Sequence, residues 1–193
     1  MARPREFDFD AALNKATNLF WSRGYFDTST RDIVEHLELG RQSIYNAFGD
    51  KEALFGRCLR HYEETVLEPR LSGLESKSAG RREIVRFLAQ TVDFLDTQPN
   101  NRSCMMSIVA PNASHQIKGA ASAVSQFHQR LCVAFQEALL NLADVEGSAS
   151  SVDKKMLSHG LSCTIHGMAV VSKIGGTRED LVDIASIALQ PLY

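Results

Sequence analysis

Helical spacing of the apolar residues is the feature that most constrains this chain. Along nearly the whole sequence, apolar side chains recur three or four positions apart, which places them on one face of an α-helix. The alternation of apolar and polar residues that marks a half-buried strand is nearly absent, and only 5 prolines interrupt the 193 residues. We therefore predict an all-α protein of about nine helices.

The first three predicted helices are short and lie close together in the sequence. One apolar stripe runs from Phe9 to Phe20 and ends at Gly24, a second helix ends before Gly40, and a third spans residues 41–48. Two short helices joined by a tight glycine turn are typical of a helix-turn-helix unit. We predict this unit over residues 1–50 and a larger helical bundle over residues 51–193.

The third helix combines a small apolar face with a wide polar one. Ile44 and Phe48 are four positions apart, so they share one side and can dock on the first two helices. The other side has no apolar neighbour to cover and carries no acidic residue. Its hydrogen-bonding groups suit the reading of base edges and phosphates. They belong to Arg41, Gln42, Ser43, Tyr45 and Asn46.

The starts of neighbouring helices offer further phosphate contacts. Backbone N–H groups at the beginning of the second and fourth helices can donate to phosphate oxygens, and Thr28, Thr30 and Lys51 stand near those positions. Arg3 and Arg5 form a basic arm ahead of the first helix. The formal net charge of -2 gives no general attraction to a polyanion, so a purely structural helical hairpin stays open as an alternative.

The stretch from residue 12 to residue 55, "ALNKATNLFWSRGYFDTSTRDIVEHLELGRQSIYNAFGDKEALF", resembles the tetracycline-repressor (TetR) family of transcriptional regulators. Its landmarks are the glycine–aromatic link before Thr28, the tyrosine of the third helix, and the Lys-Glu-x-Leu-Phe run that begins at Lys51. The resemblance implies backbone contacts to double-stranded DNA from Thr30, Ser43, Tyr45 and Lys51. It places Arg41, Gln42 and Asn46 at base-reading positions or beside them.

One position departs from the family pattern. Many members have glycine just before the Ser or Thr of the third helix, where this chain has Gln42. A glutamine side chain can make a bidentate contact to adenine. We therefore expect an operator preference that differs from that of glycine-bearing relatives.

The resemblance also implies what residues 51–193 do. They are expected to form a ligand-binding and dimerisation domain of a cytoplasmic, homodimeric repressor, which a small-molecule effector releases from a palindromic operator. Pairing of the last two helices with those of a second copy predicts a dimer interface at Leu161, Ile165, Met168, Leu181, Ile184 and Ala188. Residues that can wall an apolar pocket, or equally pack as plain core, are Tyr62, Phe87, Phe94, Cys104, Met105, Phe127, His128 and Leu131.

Cys104 suggests a second release route. It follows a break in the helical pattern, near the expected start of a helix and close to Arg102, and both features favour the reactive thiolate form of a cysteine. The segment resembles a cysteine element in one branch of the same family. Release by thiol modification and simple burial in the core are both compatible with this position.

Other classes of protein find less support in the sequence. His159, Cys163 and His166 share one helix face, but the sequence shows no fourth ligand, so we predict no metal site and no cofactor. Nucleophile–base pairs, glycine-rich phosphate loops and the H-E-x-x-H motif are missing, so we predict no enzyme. No apolar run reaches membrane-spanning length. The remaining alternative is a helical protein–protein interaction module without DNA binding.

Overall fold

The computed structural model describes residues 7–99, 102–108, 117–146 and 153–193, and every regular element in those ranges is helical. The prediction of an all-α fold of about nine helices is confirmed. Shorter segments accompany the helices. A π-helical segment covers Glu63–Leu67, a single helical turn covers residues 105–108, and a 3₁₀ turn covers Gln190–Leu192. The helices are α1 Phe9–Arg23, α2 Thr30–Leu37, α3 Arg41–Phe48, α4 Lys51–Tyr62, α5 Glu68–Leu71, α6 Arg81–Asp96, α7 Lys118–Glu146, α8 Lys154–Lys173 and α9 Arg178–Leu189.

Side-chain caps explain where the N-terminal helices begin. Asp8 accepts a hydrogen bond from the Ala11 amide at 3.0 Å, and Asp50 accepts one from the Ala53 amide at 2.8 Å. Each cap satisfies an amide that has no partner within its helix. The start of α3 has no such side chain, because Gly40 stands at its N-cap. The Gly40 carbonyl accepts from the Ser43 amide at 2.9 Å instead, so the first turn of α3 has a backbone partner and no side-chain cap.

The core of the N-terminal unit is aromatic and places α3 against α1. Ile44 and Phe48 are buried, as predicted, and the Phe48 and Phe9 ring centroids are 4.6 Å apart. A second contact, between Phe20 and Phe55 at 5.1 Å, joins α1 to α4. This contact packs the three-helix unit directly against the bundle, because α4 continues through the π-helical segment into α5.

The bundle is built from α4, α6, α7, α8 and α9 around a continuous apolar core. Helices α7 and α8 lie along each other, and α9 packs on both α6 and α8. Phe87 and Phe135 meet edge to face at 5.7 Å, which joins α6 to α7. No helix within the described residues is long and apolar enough to cross a membrane.

The helix faces predicted for the dimer interface point into the chain's own core. Leu161, Ile165, Met168 and Leu181 are buried within one chain, and Ile184 and Ala188 are partly buried against the same core. Leu161, Ile165, Met168 and Leu181 therefore cover the chain's own bundle, whereas Ile184 and Ala188 keep part of their surface exposed. The outward face of α8 carries a different stripe at three- and four-residue spacing, made of Met156, Gly160, Cys163, Gly167, Val170 and Ile174.

Candidate nucleic-acid interface

The exposed face of α3 presents the polar side chains that the sequence analysis singled out. Arg41, Gln42 and Asn46 are exposed, while Ser43 and Tyr45 are half-buried at the edges of the face. Gln42 Nε2 donates a hydrogen bond to Asn46 Oδ1 at 2.9 Å. This bond holds both amides on one side of the helix and leaves each with further hydrogen-bonding groups for a ligand.

A shallow depression beside α3 collects groups from three helices. It lies between α2, α3 and the start of α4, and Thr30, Arg41, Tyr45 and Lys51 line it. Hydrogen bonding to Thr30 and to Arg41 lowers the pKa of the Tyr45 hydroxyl. The hydroxyls and cations therefore converge on one place, as the oxygens of a phosphate group require.

Lys51 is held in position by an aromatic ring. Its Nζ lies 4.1 Å from the centroid of the Tyr25 ring, and burial lowers the pKa of this ammonium group. The Arg41 guanidinium makes a similar contact at 5.4 Å from the Tyr45 centroid. Both cations are thus positioned by neutral aromatic rings and not by an ion pair.

Charge is distributed unevenly over the N-terminal unit. Within the described residues, Arg41 and Lys51 form no ion pair with an acidic side chain. Two cations without an ion pair therefore lie where α3 meets α4, beside the Asp50 carboxylate that lines the same depression. The other cations of α1 and α2 are paired, as Lys15–Glu38 at 3.2 Å, Arg23–Asp32 at 2.9 Å and Arg31–Glu35 at 2.7 Å.

Thr28 differs from its prediction as a DNA-contacting residue. Its side chain is completely buried, and its hydroxyl donates to the Gly24 carbonyl at 2.6 Å. Thr28 therefore closes the turn that follows α1 and is unable to offer its hydroxyl to a ligand. Arg3 and Arg5, the predicted basic arm, lie outside the described residues.

The residues predicted for an effector pocket fall into three groups. Phe87, Phe94, Cys104 and Phe127 line one small apolar cavity, together with Arg70 and other side chains of α5, α6 and α8. The cavity measures about 30 Å³, enough for a water molecule but far below the ~300 Å³ of a typical small-molecule site. Tyr62, Met105 and Leu131 are buried core beside it, and His128 points towards His166 instead.

Polar groups near the cavity include one that the sequence analysis missed. The Arg70 guanidinium lies 3.9 Å from the Phe94 ring centroid, and burial lowers its pKa. The Tyr62 hydroxyl is buried near the Cys104 thiol without a hydrogen bond of ordinary geometry, and burial raises its pKa. The only signal for Arg70 in the sequence is its position directly after Pro69, between Leu67 and Leu71.

A short segment at residues 102–104 connects this cavity to α1. Trp21 Nε1 donates to the Ser103 carbonyl at 2.5 Å, and Arg102 donates to Asn18 Oδ1 at 3.0 Å. The Arg102 guanidinium also lies 5.3 Å from the Trp21 ring. Arg102 is therefore engaged with α1, and the neighbouring Cys104 is buried.

Comparisons with known proteins agree with the helix-turn-helix unit and the helical bundle described above. Residues 12–58 match the family model described as bacterial regulatory proteins, tetR family. The Escherichia coli (strain K12) HTH-type transcriptional repressor ComR is 28% identical over 190 residues, which cover 97% of this chain and 90% of that protein.

Two solved structures extend the similarity over the whole chain. A cysteine mutant of the TetR family transcriptional regulator CifR, complexed with 26-bp double-strand operator DNA, is 28% identical at a TM-score of 0.83, covering 97% of this chain and 98% of that one. A putative TetR transcriptional regulator from Rhodococcus sp. RHA1 is 31% identical at a TM-score of 0.54, covering 93% and 96%. This chain belongs to the TetR family of bacterial transcriptional regulators.

Proposed function

We propose that this protein is a homodimeric repressor that binds a palindromic DNA operator through α3 and leaves it when an effector occupies the bundle. The observation that carries the proposal is the convergence of two unpaired cations, Arg41 and Lys51, with the polar face of α3. Two relatives, ComR and BdcR of Escherichia coli (strain K12), are named as repressors. The proposed function is regulatory and not enzymatic, and it acts where bacterial DNA lies, in the cytoplasm.

Residues 1–50 would read the DNA, and residues 51–193 would bind the effector and the second copy. Arg41, Gln42 and Asn46 face outward and suit contacts with base edges in the major groove. Thr30, Ser43, Tyr45 and Lys51 surround them and suit phosphate contacts. The Gln42–Asn46 hydrogen bond presents two amides side by side, which fits adenine recognition.

The outward stripe of α8 supports dimerisation. Gly160 and Gly167 face open space and would let a partner helix approach closely. Val170 and Ile174 continue the stripe, and their side chains are 47% and 78% exposed in one chain. Exposed apolar residues in a continuous line indicate a surface that a partner covers. Val182 and Ile187 of α9 are exposed as well and extend it.

Effector binding would require this small cavity to open wider. A ligand that prefers the open bundle shifts the population towards it, by as much as its affinities for the two states differ. Since Trp21 and Arg102 attach the cavity wall to α1, a displacement of residues 102–104 would move the DNA-binding unit. Release by modification of Cys104 would need the same opening, because that thiol is buried.

Fluorescence anisotropy on DNA from upstream of the protein's own gene tests the proposal. We expect a dissociation constant near ~10⁻⁸ M or tighter for the specific site, with strong salt dependence and much weaker binding to a scrambled duplex. Arg41→Ala and Tyr45→Phe should weaken binding to the specific site. Equal affinity for both duplexes, or no binding to either, would favour the alternative of a protein–protein interaction module.

A further inference from the structure

Three side chains capable of binding a metal ion meet between α7 and α8. His128 and Cys132 are one helical turn apart on α7, and His159 faces them from α8. Cys132 Sγ lies 3.6 Å from His128 Nε2 and 3.9 Å from His159 Nδ1. One donor atom from each residue falls within 4.8 Å of the other two. We refer to these three residues as the His–Cys cluster.

The donor atoms are already close to the spacing of a metal-bound set. With metal–nitrogen bonds of ~2.05 Å and metal–sulfur bonds of ~2.3 Å, a tetrahedral ion separates its ligand atoms by about 3.4 to 3.6 Å. The observed sulfur–nitrogen distances of 3.6 and 3.9 Å need only small side-chain rotations to reach that range.

Neighbouring residues orient the cluster in the way that metal sites require. His128 Nδ1 lies 3.3 Å from His166 Nε2, and His166 Nδ1 lies 2.9 Å from Ser107 Oγ. Metal-binding histidines commonly hold one ring nitrogen in such a hydrogen bond while the other meets the ion. Here the hydrogen bonds between Ser107 and His166 and between His166 and His128 orient the His128 ring so that its Nε2 faces Cys132. Because both nitrogens of His166 are occupied, it supports the cluster and is not a ligand.

The cluster is also accessible. His159 is exposed and Cys132 is 8% exposed, so an ion can enter from solvent. One thiolate and two imidazoles suit Zn²⁺ and Cu⁺ better than Mg²⁺ or Ca²⁺, which select oxygen ligands. A three-ligand set completes trigonal Cu⁺, and with one water molecule it completes tetrahedral Zn²⁺.

We propose that His128 Nε2, Cys132 Sγ and His159 Nδ1 bind one Zn²⁺ or Cu⁺ ion per chain. The ion replaces the proton of the Cys132 thiol, which passes to solvent, and no electron is transferred. The bound ion would link α7 to α8. The site does not depend on DNA binding, so it can be tested on the free protein.

Metal titration of the chelator-stripped protein, kept reduced without added thiols, tests the proposal. Competition with a chromophoric chelator measures the affinity for Zn²⁺ and, in a separate arm without oxygen, for Cu⁺. We expect one tightly bound equivalent of at least one of the two ions after gel filtration. With Co²⁺ as a probe, a near-ultraviolet sulfur-to-cobalt charge-transfer band should appear, and its absence from Cys132→Ser would assign the sulfur.

Variants separate the cluster from the rest of the chain. Cys132→Ser and His159→Gln should abolish stoichiometric binding, and His166→Gln should weaken it about 10- to 100-fold through the lost orientation of His128. His36→Gln is the matched control, because this residue is exposed and lies outside the cluster, and the variant should bind metal like the original protein. Circular dichroism confirms the fold of each variant. If Cys132→Ser does not fold, His159→Gln, at an exposed side chain, decides the question.

Several results would overturn the proposal. Binding of neither ion by the original protein would do so, as would unchanged stoichiometry and affinity in both Cys132→Ser and His159→Gln. Loss of binding in Cys163→Ser would instead assign the metal to the stripe of residues 159, 163 and 166 along α8. Operator affinity is measured separately, so that a failure of DNA binding can be distinguished from a failure of metal binding.

Discussion

Replacement of Lys51 by glutamine gives the sharpest test of how this protein meets DNA. Lys51 is the first residue of α4, its Nζ lies 4.1 Å from the Tyr25 ring, and it forms no ion pair with an acidic side chain in the described structure. Glutamine removes the charge and keeps a side chain that can rest on the same ring. The fold of α4 should therefore be unaffected, and only the electrostatic part of DNA binding should change.

The size of the effect follows from the number of phosphates that each dimer neutralises. Each phosphate contact contributes about 0.9 to the slope of log K against log salt concentration. Lys51→Gln removes one contact from each of two protomers, so the slope should become less negative by about 1.8.

Fluorescence anisotropy with a labelled operator at several KCl concentrations measures both slopes. Lys155→Gln is the matched control, because Lys155 is exposed on α8, away from the DNA-binding unit, and its slope should equal that of the original protein. An unchanged slope in Lys51→Gln would refute the proposed phosphate contact. Weaker binding with the same slope would mean that the substitution acts indirectly, through the position of α3.

Three further predictions concern the bundle and the core. Val170→Asp should convert the dimer to a monomer with unchanged circular dichroism, and a dimer seen by light scattering would exclude the outward stripe of α8 as the interface. N-ethylmaleimide should spare Cys58 in the folded protein and modify it only after unfolding in urea, because burial raises the pKa of the Cys58 thiol to about 12; mass spectrometry locates the modification, and a modified Cys58 in the folded protein would contradict this expectation. Phe48→Ala should lower the free energy of unfolding by about 3 to 5 kcal/mol in urea titrations, and a loss below ~1 kcal/mol would show that α3 does not depend on this side chain.

Local patterns were sufficient for the helices and for the face of α3. Ile44 and Phe48 could be assigned to the core from their spacing alone, because residues four apart share one side of any α-helix. The capping residues Asp8 and Asp50 begin their helices for an equally local reason, since each bonds an amide three residues ahead. Such inferences need only neighbours in sequence.

Periodicity did not show which way a helix face points. Leu161 and Ile165 form a genuine stripe, but they cover the chain's own core, and Gly160 and Gly167 lie on the outward face. The prediction that Thr28 contacts DNA was wrong for a related reason, because a threonine beside a helix start can face either solvent or the turn behind it. Both questions depend on what packs against the helix, and that comes from distant segments.

The sequence by itself determined an all-α chain with a helix-turn-helix unit and a polar α3, because these follow from spacings of three and four residues. Only the tertiary structure decided how distant groups combine. On α8 alone, His159 shares a face with Cys163 and His166, but packing of α7 places it against Cys132 instead, 27 residues away. Packing also brings Lys51, Arg41 and Thr30 to one depression, since helices turn their side chains towards neighbours that local spacing does not specify.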